Sequence, residues 1–120
     1  MSLTTEQIPV DDAVAVIAAR GELDRLTSDQ LKVDLRMAID RGFRYLCIDL
    51  LEISYMDSSG FGPMIEAYHR LGTVGGAIAV ACREIVCEIF EVTGLASVFA
   101  LHHSRQDALE YLDALGAPPS

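Results

Sequence analysis

The segment Asp57-Ser58-Ser59-Gly60 sets a carboxylate beside two hydroxyls, between an apolar run and an amphipathic one. Asp57, Ser58 and Ser59 are all good helix N-cap types. A side-chain oxygen there accepts one of the backbone N–H groups that a first helical turn leaves free. One cap suffices. The bland reading is that the trio only caps a helix. The sharper one is that one serine caps while the other faces solvent, at the positive end of a helix dipole that tolerates a phosphate. Other reactive groups are scattered. His69 falls roughly three turns down the expected helix from Ser58, and no Gly-x-Ser-x-Gly elbow exists, so a serine hydrolase is not supported. His102 and His103 are adjacent, and neighbouring strand residues face opposite ways, which makes a poor metal clamp. The carboxylates Glu22, Asp24, Glu52 and Asp57 suggest Mg²⁺, but no phosphate ligand accompanies them and they read as a solvated acidic edge. No metal and no cofactor is expected.

The chain has 120 residues, room for one domain, and 51% of them are apolar, which excludes a disordered polypeptide. Its net charge of −9 repels phosphate backbones and anionic lipid, so neither nucleic acid nor a membrane surface is an expected partner. Lys32 is the single lysine, and no Gly-Lys-Ser/Thr loop exists. A phosphoacceptor receiver domain would need a lysine after the last strand and an acidic pair after the first. Lys32 lies in the first helix, and Asp11-Asp12 precede a strand. No apolar run approaches the ~20 residues of a bilayer span. Met1 to Val10 is polar, unlike a secretory signal, and a cytoplasmic location is expected. The cysteines Cys47, Cys82 and Cys87 are odd in number and contain no C-x-x-C, so three buried, reduced thiols are expected, with neither disulfide nor zinc.

Something must position the Asp57 segment, and the patterning supplies it. Residues 3–9 suit an edge strand. Ala13 to Ala19, Tyr45 to Leu50, Ala77 to Cys82 and Ser97 to Leu101 read as strands. Between them, Leu31, Leu35, Ala38 and Ile39 mark one helix and Phe61, Met64, Ile65, Tyr68 and Leu71 a second. Ile85, Val86, Ile89 and Phe90 mark a third, and Ala108, Leu109, Leu112 and Leu115 a fourth. Leu31/Leu35 and Ile85/Ile89 are expected in the core. Thr27-x-x-Gln30 looks like a capping box and Ser104-x-x-Asp107 like a second cap. The fold class is α/β: a mixed, mostly parallel sheet of 4–5 strands with about four helices, joined by right-handed crossovers. One domain is expected over 1–116, with a loose tail at 117–120. Parallel strands end at one sheet edge, so a site would be built from Gly21–Leu26, Leu51–Ser59 and Arg83–Glu84.

The stretch Leu51 to Gly62 resembles the signature of STAS domains, the anti-sigma factor antagonist group in particular. Gly21-Glu22-Leu23-Asp24, Gly75-Gly76 before an apolar strand, and Phe90-Glu91-Val92-Thr93-Gly94-Leu95 resemble further parts of that family in the same order. The resemblance implies a partner-switching regulator without catalysis of its own. The unphosphorylated protein would bind an anti-sigma factor that is also an ATP-dependent serine kinase, and so release a sigma factor. Phosphorylation of Ser58 would end binding, and a PP2C-type serine phosphatase would restore it. Partner contact is then expected from Asp24, Asp57, Ser58, Ser59, Gly60 and Phe61, with help from Glu66. Pro63 departs from the family's usual apolar residue. It is harmless if the helix starts at Ser59 or Gly60, and distorting if it starts at Ser58. Two other classes remain open at this point: a non-phosphorylated STAS subunit of a transporter or stress-sensing assembly, and an enzyme with a cryptic nucleotide site.

Overall fold

The computed structural model describes residues 2–116, so the expected tail at 117–120 lies outside the described residues. Five strands alternate with four helices: β1 (Leu3–Pro9), β2 (Val14–Leu23), α1 (Ser28–Asp40), β3 (Tyr45–Met56), α2 (Phe61–Gly72), β4 (Ala77–Ala81), α3 (Glu84–Val92), β5 (Ala100–His102) and α4 (Arg105–Ala114). The sheet order is β1-β2-β3-β4-β5. β1 runs antiparallel to β2, and every other neighbouring pair is parallel. No helix among the described residues is long and apolar enough to cross a membrane.

Side-chain alternation divides the core into two. Ala15, Ile17, Leu46, Ile48, Leu50, Val80 and Cys82 face one way and pack under α1, α2 and α3. Val16, Cys47, Ala79 and Ala81 face the other way and pack under Ala108 and Leu112 of α4. Successive right-handed crossovers in an unbroken strand order place consecutive helices on one face, and α4 crosses to the other. Asp49 is buried on β3, but it is not orphaned. One oxygen accepts from Leu51 N–H at 2.9 Å and the other from Arg105 Nε at 2.8 Å. Arg36–Glu66 and Arg70–Asp40 join α1 to α2 as exposed ion pairs.

Several expectations need correction. β2 and β3 run four and six residues past their expected ends, to Leu23 and Met56. Register shifts in β2, between Ala18 and Arg20 and between Gly21 and Glu22, keep the two paired beyond the apolar runs. Gly21 has φ +109°, and a Cβ there would lie 2.4 Å from the Ser2 carbonyl oxygen, so only glycine permits this bend. Ser97–Leu101 is not one strand: a 3-10 turn at Leu95–Ser97 precedes the three-residue β5. Ile85 is not core but 67% exposed, because α3 buries its Val86, Cys87 and Phe90 side and turns Ile85 outward. Thr27 makes no side-chain cap, since its hydroxyl is engaged with the preceding turn. Gln30 reaches Leu3 O instead of returning to Thr27. Ser104 does cap α4, accepting from Asp107 N–H at 3.0 Å.

The cysteines also depart from expectation. Cys82 and Cys87 form a disulfide. The direct step from β4 into α3 brings their Cα atoms to 5.8 Å, within bonding range, a proximity that strand and helix periodicity do not reveal. Cys47 is free and buried. Burial, and then the nearby Asp49 carboxylate, pushes its thiol up to about 12, with Arg105 opposing.

Gly76 makes a packing prediction. Its Cβ, if present, would lie 2.0 Å from the Arg44 carbonyl oxygen at the entry to β4. Gly76→Ala should therefore cost about 1–3 kcal/mol by overpacking, read as a lower urea midpoint with an unchanged slope.

Candidate functional site

Parallel pairing carries two chain segments to one edge. Glu22 and Leu23 of β2 lie opposite Tyr55 and Met56 of β3, and Asp57 N–H then donates to Leu23 O at 3.2 Å. Asp57 is extended, and its Oδ1 accepts from Ser59 N–H at 2.9 Å. Its Oδ2 accepts from the Tyr55 hydroxyl at 3.4 Å. The chain then enters a 3-10 turn, Ser58–Gly60, that runs directly into α2. The cap is thus the carboxylate and neither serine, which corrects the expected division of labour. Asp57 also makes no hydrogen bond to the Ser58 hydroxyl.

Inward residues fix this turn. A Cβ on Gly60 would meet Leu23 Cδ2 and Cγ at 2.7 and 2.8 Å, so the backbone lies directly on the core. Phe61 is buried and meets Phe90 edge-on, with centroids 4.9 Å apart. Pro63 is the third residue of α2, where its missing N–H belongs to the set a helix leaves free, and it is buried. With Gly60 as the N-cap of α2, no distortion at Ser58 is needed. Ser58 is exposed and Ser59 half-buried. Among the described residues, neither hydroxyl has a hydrogen-bond partner.

Asp24 lies beneath the same edge. It is buried, and its Oδ1 accepts from Leu26 N–H at 2.9 Å and Thr27 N–H at 3.1 Å. Thr27 Oγ1 accepts from Asp24 N–H at 3.0 Å and donates to Glu22 O at 2.7 Å. Asp24 Oδ2 has no partner within the described residues. The six expected contact residues therefore separate. Asp57, Ser58 and Ser59 reach the surface, while Asp24, Gly60 and Phe61 lie below it and hold the turn in place. Glu66 is engaged with Arg36, whose hydrogen bond and charge hold its carboxyl below the ordinary carboxylate range.

The three loops expected to build the site also bring to this edge residues not singled out individually. Leu26 is 77% exposed and Tyr55 48%, and Arg83 reaches across to donate to Ile53 O at 3.0 Å. Parallel-strand topology placed their loops here, and Leu26 and Tyr55 fall outside the helical and strand periodicities around them. His69 is exposed on α2, and the His102 ring lies 5.0 Å from that of Tyr111 with its Nε2 buried and unpartnered. Among the described residues, no three His, Cys, Asp or Glu side chains converge on a metal position. A concavity of about 530 Å³ is lined by Ile39, Phe43, His69 and Val74, and by none of the six site residues. Ser58 is exposed at this edge beside the Asp57 carboxylate, with Arg25 and Arg83 exposed in the neighbouring loops.

The STAS domain family model matches residues 6–108. The anti-sigma F factor antagonist of Paenibacillus polymyxa is 28% identical over 104 residues, 85% of this chain and 89% of that protein. The anti-sigma-B factor antagonist of Listeria monocytogenes is 30% identical over 86 residues, 71% of this chain and 75% of that protein. Among solved structures, an anti-sigma factor antagonist from Mycobacterium paratuberculosis superposes with a TM-score of 0.84 at 27% identity, covering 93% of this chain and 95% of that one.

The geometry separates two neighbouring substitutions. Asp57→Ala removes the cap and should cost about 1 kcal/mol. Ser58→Ala removes an unbonded surface hydroxyl and should change stability by less than about 0.5 kcal/mol. Urea denaturation of both variants against the parent checks the contrast.

Proposed function

The chain belongs to the STAS domain family, and from that premise we propose that it is an anti-sigma factor antagonist gated by a phosphate on Ser58. The observation that carries this reading is the Ser58 hydroxyl. It is exposed and free of hydrogen bonds among the described residues, while the residues on both sides of it are fixed. A kinase can reach this oxygen without unfolding anything.

In the unmodified state the edge docks on an anti-sigma factor that is itself a serine kinase, and the sigma factor is released. The kinase supplies the ATP. Ser58 Oγ attacks the γ-phosphorus, ADP leaves, and the hydroxyl proton passes to a base on the kinase. A PP2C-type phosphatase reverses the step by hydrolysis. The chain itself acts as substrate and binding partner, without catalysis. Asp57 supports the serine indirectly, by holding the turn through the Ser59 N–H, and Asp24 holds the adjoining loop.

Charge is the means of release. A phosphate adds about −1.5 to −2 charge and three acceptor oxygens. It would stand next to Asp57, near Glu22, on a chain whose net charge is already −9. The dipoles of the turn and α2 favour the anion within the chain, so the fold is retained. Docking suffers, because a dianion in a contact surface must be desolvated. Each ~1.4 kcal/mol of that penalty weakens binding tenfold.

Incubation with the cognate kinase and ATP, followed by peptide mass spectrometry, should place one phosphate on Ser58. Ser58→Ala should bind the kinase and accept no phosphate, and Ser58→Asp should bind at least about tenfold more weakly. No added phosphate, or phosphate on Ser59 alone, contradicts the proposal.

A further inference from the structure

The Cys82–Cys87 bond lies at the same sheet edge as Ser58, and nothing in the partner mechanism uses it. Cys82 directly follows β4 and is fully buried, and Cys87 lies in α3 with 5% exposure. The loop they close contains Arg83, Glu84 and Ile85, all exposed. Arg83 from this loop donates to Ile53 O on β3. Farther along α3, Phe90 packs on Phe61, directly after the Ser58 turn. Arg83 and α3 thus reach the Ser58 edge, the one through a backbone carbonyl and the other through the core.

The Cys87 sulfur lies 3.4 Å from the Cys82 carbonyl oxygen, an acceptor within reach of a Cys87 thiol once the two sulfurs have parted. The third cysteine is unsuited to exchange. Cys47 packs in the other core layer, beneath α4, away from the pair, and burial holds its thiol protonated.

We propose that Cys82 and Cys87 form a reversible oxidation site, a dithiol–disulfide pair whose closure locks the first turn of α3. The oxidant is a low-molecular-weight disulfide, RSSR. The Cys87 thiolate, on the less deeply buried residue, attacks one sulfur of RSSR, and RS⁻ leaves. Cys82 thiolate then attacks the Cys87 sulfur of the mixed disulfide, and the second RS⁻ leaves. The two thiol protons go to the two departing thiolates. One protein disulfide and two RSH result, and a reducing dithiol reverses the sequence. Closing so short a loop removes conformations of the Arg83–Glu84–Ile85 tip from the opened ensemble.

The test uses the whole chain alone, so its outcome does not depend on the partner reading. The protein is equilibrated in glutathione buffers of graded potential, alkylated and digested. Native-state hydrogen exchange is followed at the Val86 and Cys87 amides, both of which donate to Arg83 O. The expected result is a Cys82–Cys87 peptide that appears and disappears with the buffer, while Cys47 is alkylated only after denaturation. These two amides should exchange roughly tenfold faster in the reduced chain. Cys87→Ser should exchange at the reduced rate in every buffer. Three results overturn the proposal: a bond that never forms, a bond that native-state reductant cannot open, or amide exchange that is the same in both states.

Discussion

The arrangement of this molecule depends on one hydrogen bond, from the Ser59 N–H to the Asp57 carboxylate. It decides which of three adjacent polar residues is consumed by the backbone. A 3-10 turn leaves N–H groups without internal acceptors, and a buried or half-buried N–H must be satisfied. Because Asp57 takes that duty, both serine hydroxyls are released from it. The bond is possible because β2 and β3 stay paired to their ends, which brings Asp57 N–H onto Leu23 O and aligns the turn. Gly60 and Phe61 then fix the turn from beneath. The exposed hydroxyl is a by-product of everything around it being fully engaged.

Much of the architecture was legible because each element needs only a local rule. Continuous apolar runs give β4 and the first part of β3, and i, i+3, i+4 spacing gives α2. The Ser104 cap is a contiguous four-residue pattern and follows the rule. What was not legible depends on distant partners. The extension of β2 and β3 rests on pairing between Glu22 and Tyr55, two residues with no apolar signal between them. Thr27 fits a capping box by sequence, but Asp24 N–H and Glu22 O compete for its hydroxyl and win. Ile85 has helical spacing to Ile89, but only its burial, set by how α3 lies on the sheet, shows which side faces out.

The candidate site was legible in part for a related reason. The motif named the right turn, and residue types marked Asp57, Ser58 and Ser59. Type alone does not separate a surface carboxylate from a buried one. Asp24 looks like Asp57 in sequence, but it builds its own loop with Oδ1 toward two N–H groups. The disulfide was missed because its two cysteines belong to different periodic elements, and only the tight β4–α3 step brings them together.

The unbroken neighbour order of the sheet bears on how the chain assembles. From β2 onward each new strand docks on the one just completed, although each parallel pairing must first close a crossover of about twenty to thirty residues. A nascent polypeptide can therefore add layers in the order of synthesis, without waiting for a remote piece to intercalate. The aromatic contact of Phe61 with Phe90 spans a similar stretch of chain. The turn that bears Ser58 is laid down early, but its inner support arrives only with α3.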